Sequence, residues 1–184
     1  SRPETVNIIV IDDDLNNIEL ISLYLSGCGY SVKSFSKEIE ALNYLQAADS
    51  KISLIILDLM LTEISGYELC QRIRSNPRYR FTPILISSGL IDNKDKNAAM
   101  EAGADDFINK PIDRHALITR ARSLIRIQTL YDELLEKNEK LEYAFNKLKS
   151  AQNTIINNEK FVSIGAMAQG LTHEIYNPLT IIGG

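Results

Sequence analysis

The sequence predicts an α/β domain built on a five-stranded parallel sheet, followed by one long helix. Three observations indicate this arrangement. Short apolar segments alternate five times with helix-like segments, the connections between them are short, and residues 112–164 contain neither glycine nor proline. Strands that alternate with helices through short loops form a doubly wound parallel sheet with right-handed crossovers and helices on both faces.

The individual elements follow in chain order. Residues 6–11 form a β-branched apolar run, which is typical of a strand buried on both faces. Asp14 or a neighbour can cap the helix that follows, and Gly27 and Gly29 mark its end. The same alternation predicts further strands at 30–35, 52–57, 83–87 and 107–108, and helices at 37–47, 66–74, 93–102 and from Pro111 onward.

Composition excludes several classes of protein. Hydrophobic residues make up 45% of the chain and the formal net charge is −4, which supports a packed core and argues against a nucleic-acid binder. No apolar run approaches the roughly 20 residues of a membrane span. Cys28 and Cys70 do not form a CxxC motif, so we expect a reduced, cytoplasmic protein.

Polar residues follow four of the five predicted strands. Asp12 and Asp13 follow the first strand, Asp58 the third, Ser88 the fourth and Lys110 the fifth. Ligands of parallel sheets bind beyond the carboxyl ends of the strands. Three converging carboxylates require a cation, and oxygen ligands suit Mg²⁺, while Lys110 and Ser88 can bind phosphoryl oxygens. Any one of these residues alone is more often a helix cap or a surface charge, but all five at strand ends argue against coincidence.

Four segments within residues 5–125 resemble the receiver domain of two-component response regulators. They are IVIDD at 9–13, LDLM at 57–60, ISSG at 86–89 and NKP at 109–111. The resemblance implies a flavodoxin-like strand order of 2-1-3-4-5. It also implies that Asp58 accepts a phosphoryl group from a phosphohistidine donor, on a cognate histidine kinase or a phosphotransfer protein.

The same resemblance assigns roles to the remaining site residues. Asp12, Asp13 and Asp58 would hold magnesium together with the backbone carbonyl of Met60. Ser88 would be the switch hydroxyl, Phe107 the rotating aromatic side chain and Lys110 the lysine of the site.

The sequence departs from the family at two positions. Thr62 stands where the family usually has proline, so we expect a change in loop stiffness, with Gly66 still supplying the turn. Ser88 replaces the more common threonine and keeps the hydroxyl, and its spacing from Asp58 favours it over the adjacent Ser87. A phosphatase of the haloacid dehalogenase type is disfavoured because Met60 stands where that class has a second aspartate.

The long helix carries a heptad pattern that predicts a parallel coiled-coil homodimer. Asn138 at an a position favours a parallel, in-register pair, and Gln152 and Glu159 at later a positions predict a looser end. An amphipathic helix folded back on the first domain is the alternative. The a series starts at Leu124, and the d positions are Ile127, Leu134, Leu141, Leu148, Ile155 and Val162.

Residues 160–182 resemble the H-box helix of sensor histidine kinases. The resemblance implies that His173 is the phosphorylated nucleophile, that Glu174 is its base, and that Asn177 positions a water during dephosphorylation. Pro178 would kink the helix. A zinc site is disfavoured because Asn177 stands where a zincin helix has its second metal histidine.

These patterns divide the chain into a receiver at 1–125, a signalling helix at 112–160 that continues from the last receiver helix, and a truncated phosphotransfer helix at 161–184. The expected protein is a histidine-kinase fragment that lacks the ATP-binding domain and passes phosphate onward to a downstream receiver. Two alternatives remain open. One is a non-catalytic response regulator whose output is the coil, and the other is a relay in which His173 and Asp58 exchange phosphate.

Overall fold

The computed structural model describes residues 6–89 and 93–179, and of residues 93–96 and 172–179 it describes the backbone alone. The chain divides into two compact units between Asp132 and Glu133. The strands are β1 Asn7–Ile11, β2 Ser31–Phe35, β3 Leu54–Asp58, β4 Ile84–Ser88 and β5 Asp106–Asn109. The helices are α1 Leu15–Ser26, α2 Glu38–Ala47, α3 Gly66–Ser75, α4 Asn93–Glu101 and α5 Arg114–Leu179, with a 3₁₀ turn at Pro77–Tyr79.

The five strands form one parallel sheet in the order β2-β1-β3-β4-β5, which confirms the predicted fold class. The register pairs Ile11 with Leu57, and Leu57 with Ile86. Because these strands end at the same level, the residues that follow them meet at one edge of the sheet.

Side chains of the inner strands alternate between two apolar cores, one on each face of the sheet. In β3, Ile55 and Leu57 pack with residues of α2, α3 and α4, while Leu54 and Ile56 pack with residues of α1 and α5. All four are fully buried. Burial on both faces explains why the strand sequence is continuously apolar rather than alternating.

Helix α1 begins and ends where its sequence signals predict. The Asp14 carboxylate accepts a hydrogen bond of 2.9 Å from the backbone N–H of Asn16, which makes Asp14 the N-cap. Gly29 has a φ of 85°, a conformation that favours glycine, and the chain turns there into β2.

Several element boundaries differ from the sequence prediction, among them those of β3 and α5. Strand β3 begins at Leu54 and includes Asp58, and α5 begins at Arg114 rather than at Pro111. Asp113 sets the start of α5, because its carboxylate accepts a hydrogen bond of 2.8 Å from the Ala116 N–H. The 3₁₀ turn at Pro77–Tyr79 has Pro77 in its first turn and an Asn76 cap, and neither signal was used in the prediction.

Arg74 connects three segments on the face opposite to α1 and α5. Its guanidinium donates to the carbonyls of Tyr79 and Gly103, each at 2.8 Å, and of Thr82 at 2.5 Å, and it pairs with Asp105 at 2.6 Å. One side chain therefore ties the end of α3 to the entry of β4 and the α4–β5 turn.

The first part of α5 belongs to the core of the sheet domain. Leu124 and Ile125 are each 8% exposed and pack beneath the sheet. The Tyr131 ring lies 4.9 Å from the Phe81 ring, and Asp132 pairs with Lys51 at 2.6 Å. Leu124 is therefore not available as an a position for a partner helix, which corrects the start of the predicted heptad seam.

The outer strands of the sheet carry charged side chains. On β2, the Lys33 ammonium lies 3.9 Å from the centre of the Tyr44 ring. On β5, Asp106 pairs with Arg120 of α5 at 2.5 Å.

Gly66, the first residue of α3, packs directly on the backbone that carries Asp58. A Cβ at this position would lie 2.3 Å from the Asp58 carbonyl oxygen and 2.7 Å from the Leu59 Cα. The Gly66 N–H also donates to the Leu59 carbonyl at 3.0 Å. The close approach of these two backbones therefore requires glycine, even though its φ is not positive.

We predict that Gly66→Ala lowers the free energy of unfolding by about 1–3 kcal/mol, because the added methyl group meets rigid backbone. Gly165→Ala is the matched control, since a Cβ at Gly165 meets nothing within 4 Å. Urea unfolding followed by circular dichroism measures both. Equal stability of Gly66→Ala and the wild type would contradict the prediction.

Candidate functional site

Three carboxylates converge at the carboxyl edge of the sheet, as the strand ends predict. Asp12 follows β1, Asp58 ends β3, and Asp13 is the next residue after Asp12. One oxygen from each lies within 4.8 Å of the others. Asp12 and Asp58 are buried and Asp13 is exposed, so the cluster is open to solvent on the Asp13 side.

Lys110 supplies the positive charge of the cluster. Its Nζ lies 2.9 Å from Asp12 Oδ2 and 2.9 Å from Asp58 Oδ2. The residue follows β5, and its backbone N–H donates to the Ser88 carbonyl at 2.7 Å, which extends the pairing of β4 with β5 by one residue. The Lys110 side chain is 19% exposed.

Burial and charge act on the two ionisable partners in different ways. Burial raises the pKa of the Asp58 carboxyl above its ordinary 3.8, and the charge of Asp12 raises it further, against the opposing effect of Lys110. Burial lowers the pKa of Lys110, but the carboxylates of Asp12 and Asp58, each 2.9 Å from its Nζ, outweigh burial and raise the pKa above 10.5. Lys110 is therefore a fixed cation at neutral pH.

Two acceptor atoms of the cluster are left for a ligand. Asp58 Oδ1 is buried without a hydrogen-bond partner, and Asp12 Oδ2 has only its charge pair with Lys110 and no well-aligned hydrogen bond. Unsatisfied buried carboxylate oxygens are costly unless a cation or donor completes them. Mg²⁺ prefers oxygen ligands of this kind, so the three carboxylates fit a magnesium site.

Hydrogen bonds from neighbouring segments fix two more carboxylate oxygens of the cluster. Asp12 Oδ1 accepts from the Asp14 N–H at 2.9 Å and from the Asn17 amide at 3.4 Å. Asp13 Oδ2 accepts a bond of 2.5 Å from the Thr62 hydroxyl, which lies on the β3–α3 loop.

Glu38 is a buried carboxylate that the sequence analysis missed. It begins α2, is 3% exposed, and accepts a hydrogen bond of 3.0 Å from the Glu63 N–H. A glutamate in the first turn of a helix is usually a surface residue, so no sequence signal marked it. In the structure it fixes the β3–α3 loop beside the carboxylate cluster.

The two serines at the end of β4 are both buried. The register pairs Ser87 with Asp58, and Ser88 with Asn109, the residue before Lys110. The Ser87 hydroxyl has no hydrogen-bond partner. Ser88 therefore lies one residue further toward the edge, next to the lysine, and its role as switch hydroxyl stays a prediction.

Phe107 lies on β5 and is partly buried, with the Arg120 guanidinium 5.6 Å from its ring centre. Met60 follows β3 and is 73% exposed. The predictions for His173, Glu174 and Asn177 concern side chains outside the described part of the chain; the backbone there is helical through Leu179.

The chain belongs to the response regulator receiver domain family, whose model matches residues 8–122. The chain therefore contains a receiver domain of two-component signal transduction. Receiver domains act with histidine kinases or phosphotransfer proteins. The predicted receiver fold and family are therefore confirmed, whereas the histidine-kinase part of the resemblance stays a prediction.

Similar proteins match mainly over the receiver. The transcriptional regulatory protein GltR of Pseudomonas aeruginosa is 36% identical over 120 residues, which are 65% of this chain and 49% of GltR. The response regulator PleD of Caulobacter vibrioides is 32% identical over 133 residues, or 72% of this chain and 29% of PleD. The chain thus spans about half or less of the length of these relatives.

Solved structures show the same fold. The chemotaxis response regulator CheY4 of Vibrio cholerae has a TM-score of 0.62 and 25% identity, covering 65% of this chain and 98% of that one. The receiver domain of a signal transduction histidine kinase from Syntrophus aciditrophicus has a TM-score of 0.60 and 29% identity, covering 66% and 91%. Within the residues described, no helix is long and apolar enough to cross a membrane.

The raised pKa of Asp58 predicts how the stability of the metal-free protein changes with pH. The folded state binds this proton more tightly than the unfolded state, so ionised Asp58 costs stability as pH rises from about 3.8 through the folded pKa. In EDTA, we expect Asp58→Asn to raise the free energy of unfolding at pH 7. The difference in free energy of unfolding between this variant and the wild type should grow between pH 4 and pH 7.

Urea unfolding at a series of pH values measures this difference. Asp49→Asn, at an exposed aspartate, is the control. A difference between Asp58→Asn and the wild type that does not change with pH would contradict the prediction.

Proposed function

We propose that the chain receives a phosphoryl group on Asp58 from a phosphohistidine donor. The observation that carries the proposal is the buried Asp58 carboxylate, with Oδ1 unbonded and Oδ2 2.9 Å from Lys110, inside a cluster of three carboxylates. Asp12, Asp13 and Asp58 would hold Mg²⁺ together with the Met60 carbonyl.

The chemistry is a transfer between two nucleophiles. An Asp58 oxygen attacks the phosphorus of the phosphohistidine, the N–P bond breaks, and its electron pair stays on the imidazole nitrogen. Lys110 pairs with a phosphoryl oxygen and so compensates the charge that arrives. Bound Mg²⁺ would neutralise charge on the carboxylates and the phosphoryl oxygens.

The acyl phosphate would change the end of the sheet. The phosphoryl group carries about −1.5 to −2 charges at pH 7, in place of the single negative charge of the Asp58 carboxylate. In the proposed switch, the Ser88 hydroxyl donates to a phosphoryl oxygen and Phe107 moves inward. Arg120 supports a connection to α5, because this α5 residue lies 5.6 Å from the Phe107 ring and pairs with Asp106 at 2.5 Å.

The proposed output passes through α5 as a parallel coiled-coil homodimer. All six predicted d residues are exposed, from 56% at Leu134 to 72% at Val162, which a stable apolar seam does not tolerate without a partner. Leu124 lies in the receiver core, so the seam would begin at Ile127. Asn138 favours the parallel, in-register arrangement.

The end of α5 would then carry His173 as a phosphoacceptor, with Glu174 as base and Asn177 positioning water. The support is the His-Glu-x-x-Asn-Pro sequence and the similarity to a receiver from a histidine kinase. A response regulator without kinase activity is the second candidate, and the similarity to GltR, a transcriptional regulatory protein, favours it.

Phosphorylation of Asp58 is tested with radiolabelled acetyl phosphate and Mg²⁺. We expect acid-stable, base-labile label on the wild type, and none on Asp58→Asn, because the acyl phosphate cannot form. Asp49→Asn is the control and should label as the wild type does. Undiminished labelling of Asp58→Asn would reject Asp58 as the acceptor.

The coil is tested by replacing a d residue with a charge. We predict that Leu141→Lys weakens a dimer by about tenfold or more in Kd, which corresponds to about 1.4 kcal/mol. Tyr143→Lys is the matched control, since Tyr143 is 71% exposed, close to the 68% of Leu141, but lies two residues from the seam. Sedimentation equilibrium measures both; a monomeric wild type, or equal effects of both variants, would contradict the coil.

The role of His173 is tested by following the radiolabelled phosphoryl group. Transfer of this group from Asp58 to a histidine supports a relay, and the histidine label should be absent in His173→Gln. In a longer chain that includes an ATP-binding domain, labelling from ATP separates a kinase from a regulator. Undiminished labelling of His173→Gln from ATP would reject His173 as the acceptor.

A further inference from the structure

Thr62 connects two loops of the site. It lies on the exposed β3–α3 loop, four residues after Asp58, and its hydroxyl donates to Asp13 Oδ2 at 2.5 Å. Asp13 is one of the three cluster carboxylates, belongs to the β1–α1 connection, and is itself exposed. The bond therefore holds a side chain that would otherwise be free to adopt several rotamers.

The donor is held in place independently of Asp13. The adjacent Glu63 N–H is bound by the buried Glu38 carboxylate at 3.0 Å. At the two ends of the loop, the Leu59 N–H donates to the Ser87 carbonyl at 3.0 Å, and the Gly66 N–H donates to the Leu59 carbonyl at 3.0 Å. Thr62 thus sits in a loop that is fixed before, beside and after it.

We propose that Thr62 is a positioning residue that sets the metal affinity of the site by holding Asp13 in its binding orientation. This inference rests on the proposed role of Asp13 as a metal ligand. With Thr62 bonded to Oδ2, the Asp13 carboxylate still has Oδ1 for an ion. One of its two oxygens already lies within 4.8 Å of oxygens of Asp12 and Asp58. The ion then binds without the cost of ordering this side chain.

A competing effect of the Thr62 hydroxyl would change the metal affinity in the opposite direction, which makes the proposal testable. If the hydroxyl occupied an oxygen that the ion needs, removing the hydroxyl would strengthen metal binding. Thr62→Val removes the hydroxyl and keeps the β-branched shape, and Thr62→Ser keeps the hydroxyl.

The test is a titration with Mn²⁺, followed by the electron paramagnetic resonance signal of the free ion. We expect Thr62→Val to weaken binding about three- to tenfold, and Thr62→Ser to stay within about twofold of the wild type. Thr154→Val is the matched control, because its hydroxyl bonds only to the helix backbone at Ser150 in the described contacts. The thermal midpoint with and without Mn²⁺ gives a second readout and confirms folding of each variant.

Asp13→Asn separates the two proposals. If it loses Mn²⁺ binding while Thr62→Val binds as the wild type or more tightly, the role of Thr62 is wrong and the metal site stands. If Asp13→Asn binds as the wild type, the metal site itself is wrong. Equal losses in Thr62→Val and Thr62→Ser would also overturn the proposal, because the hydroxyl would then not be responsible.

Discussion

Two carboxylates, Asp12 and Asp58, are buried side by side, and one ammonium, Lys110, compensates both from 2.9 Å. Like charges at this depth cannot be held without a cation. The sheet satisfies this constraint because β1 and β3 end at the same level. Lys110 follows β5, and its side chain extends to both carboxylates. The contact at Gly66 and the Glu38 hydrogen bond fix the backbone around this cluster, and the Thr62 hydroxyl holds the Asp13 side chain.

The fold could be predicted because its signals are local and repeated. Continuous apolar runs such as residues 54–57 follow from burial on both faces, and caps such as Asp14 need only a neighbouring N–H. The same alternation predicts the site, because residues that follow neighbouring parallel strands meet at one edge whatever their side chains. These residues are Asp12, Asp13, Asp58 and Lys110. Boundaries were less predictable because a single cap, here Asp113, overrides the start suggested by Pro111.

What could not be predicted depends on contacts between distant parts of the chain. Glu38 and Glu63 are 25 residues apart, and Thr62 and Asp13 are 49 apart, so no periodicity reports either bond. The sequence showed that Thr62 departs from the family pattern, but it did not show that Thr62 bonds to Asp13. Leu124 fits a heptad as well as it fits the receiver core, and only packing decides between the two uses.

The charged residues on the outer strands have a consequence for how copies of the chain meet. An open sheet presents unpaired backbone groups at both edges and can extend by adding strands from another molecule. Lys33 on β2, packed over Tyr44, and the Asp106–Arg120 pair on β5 place charges at those edges, which disfavours strand addition. Addition of strands from another copy of the chain is therefore disfavoured at both edges of the sheet.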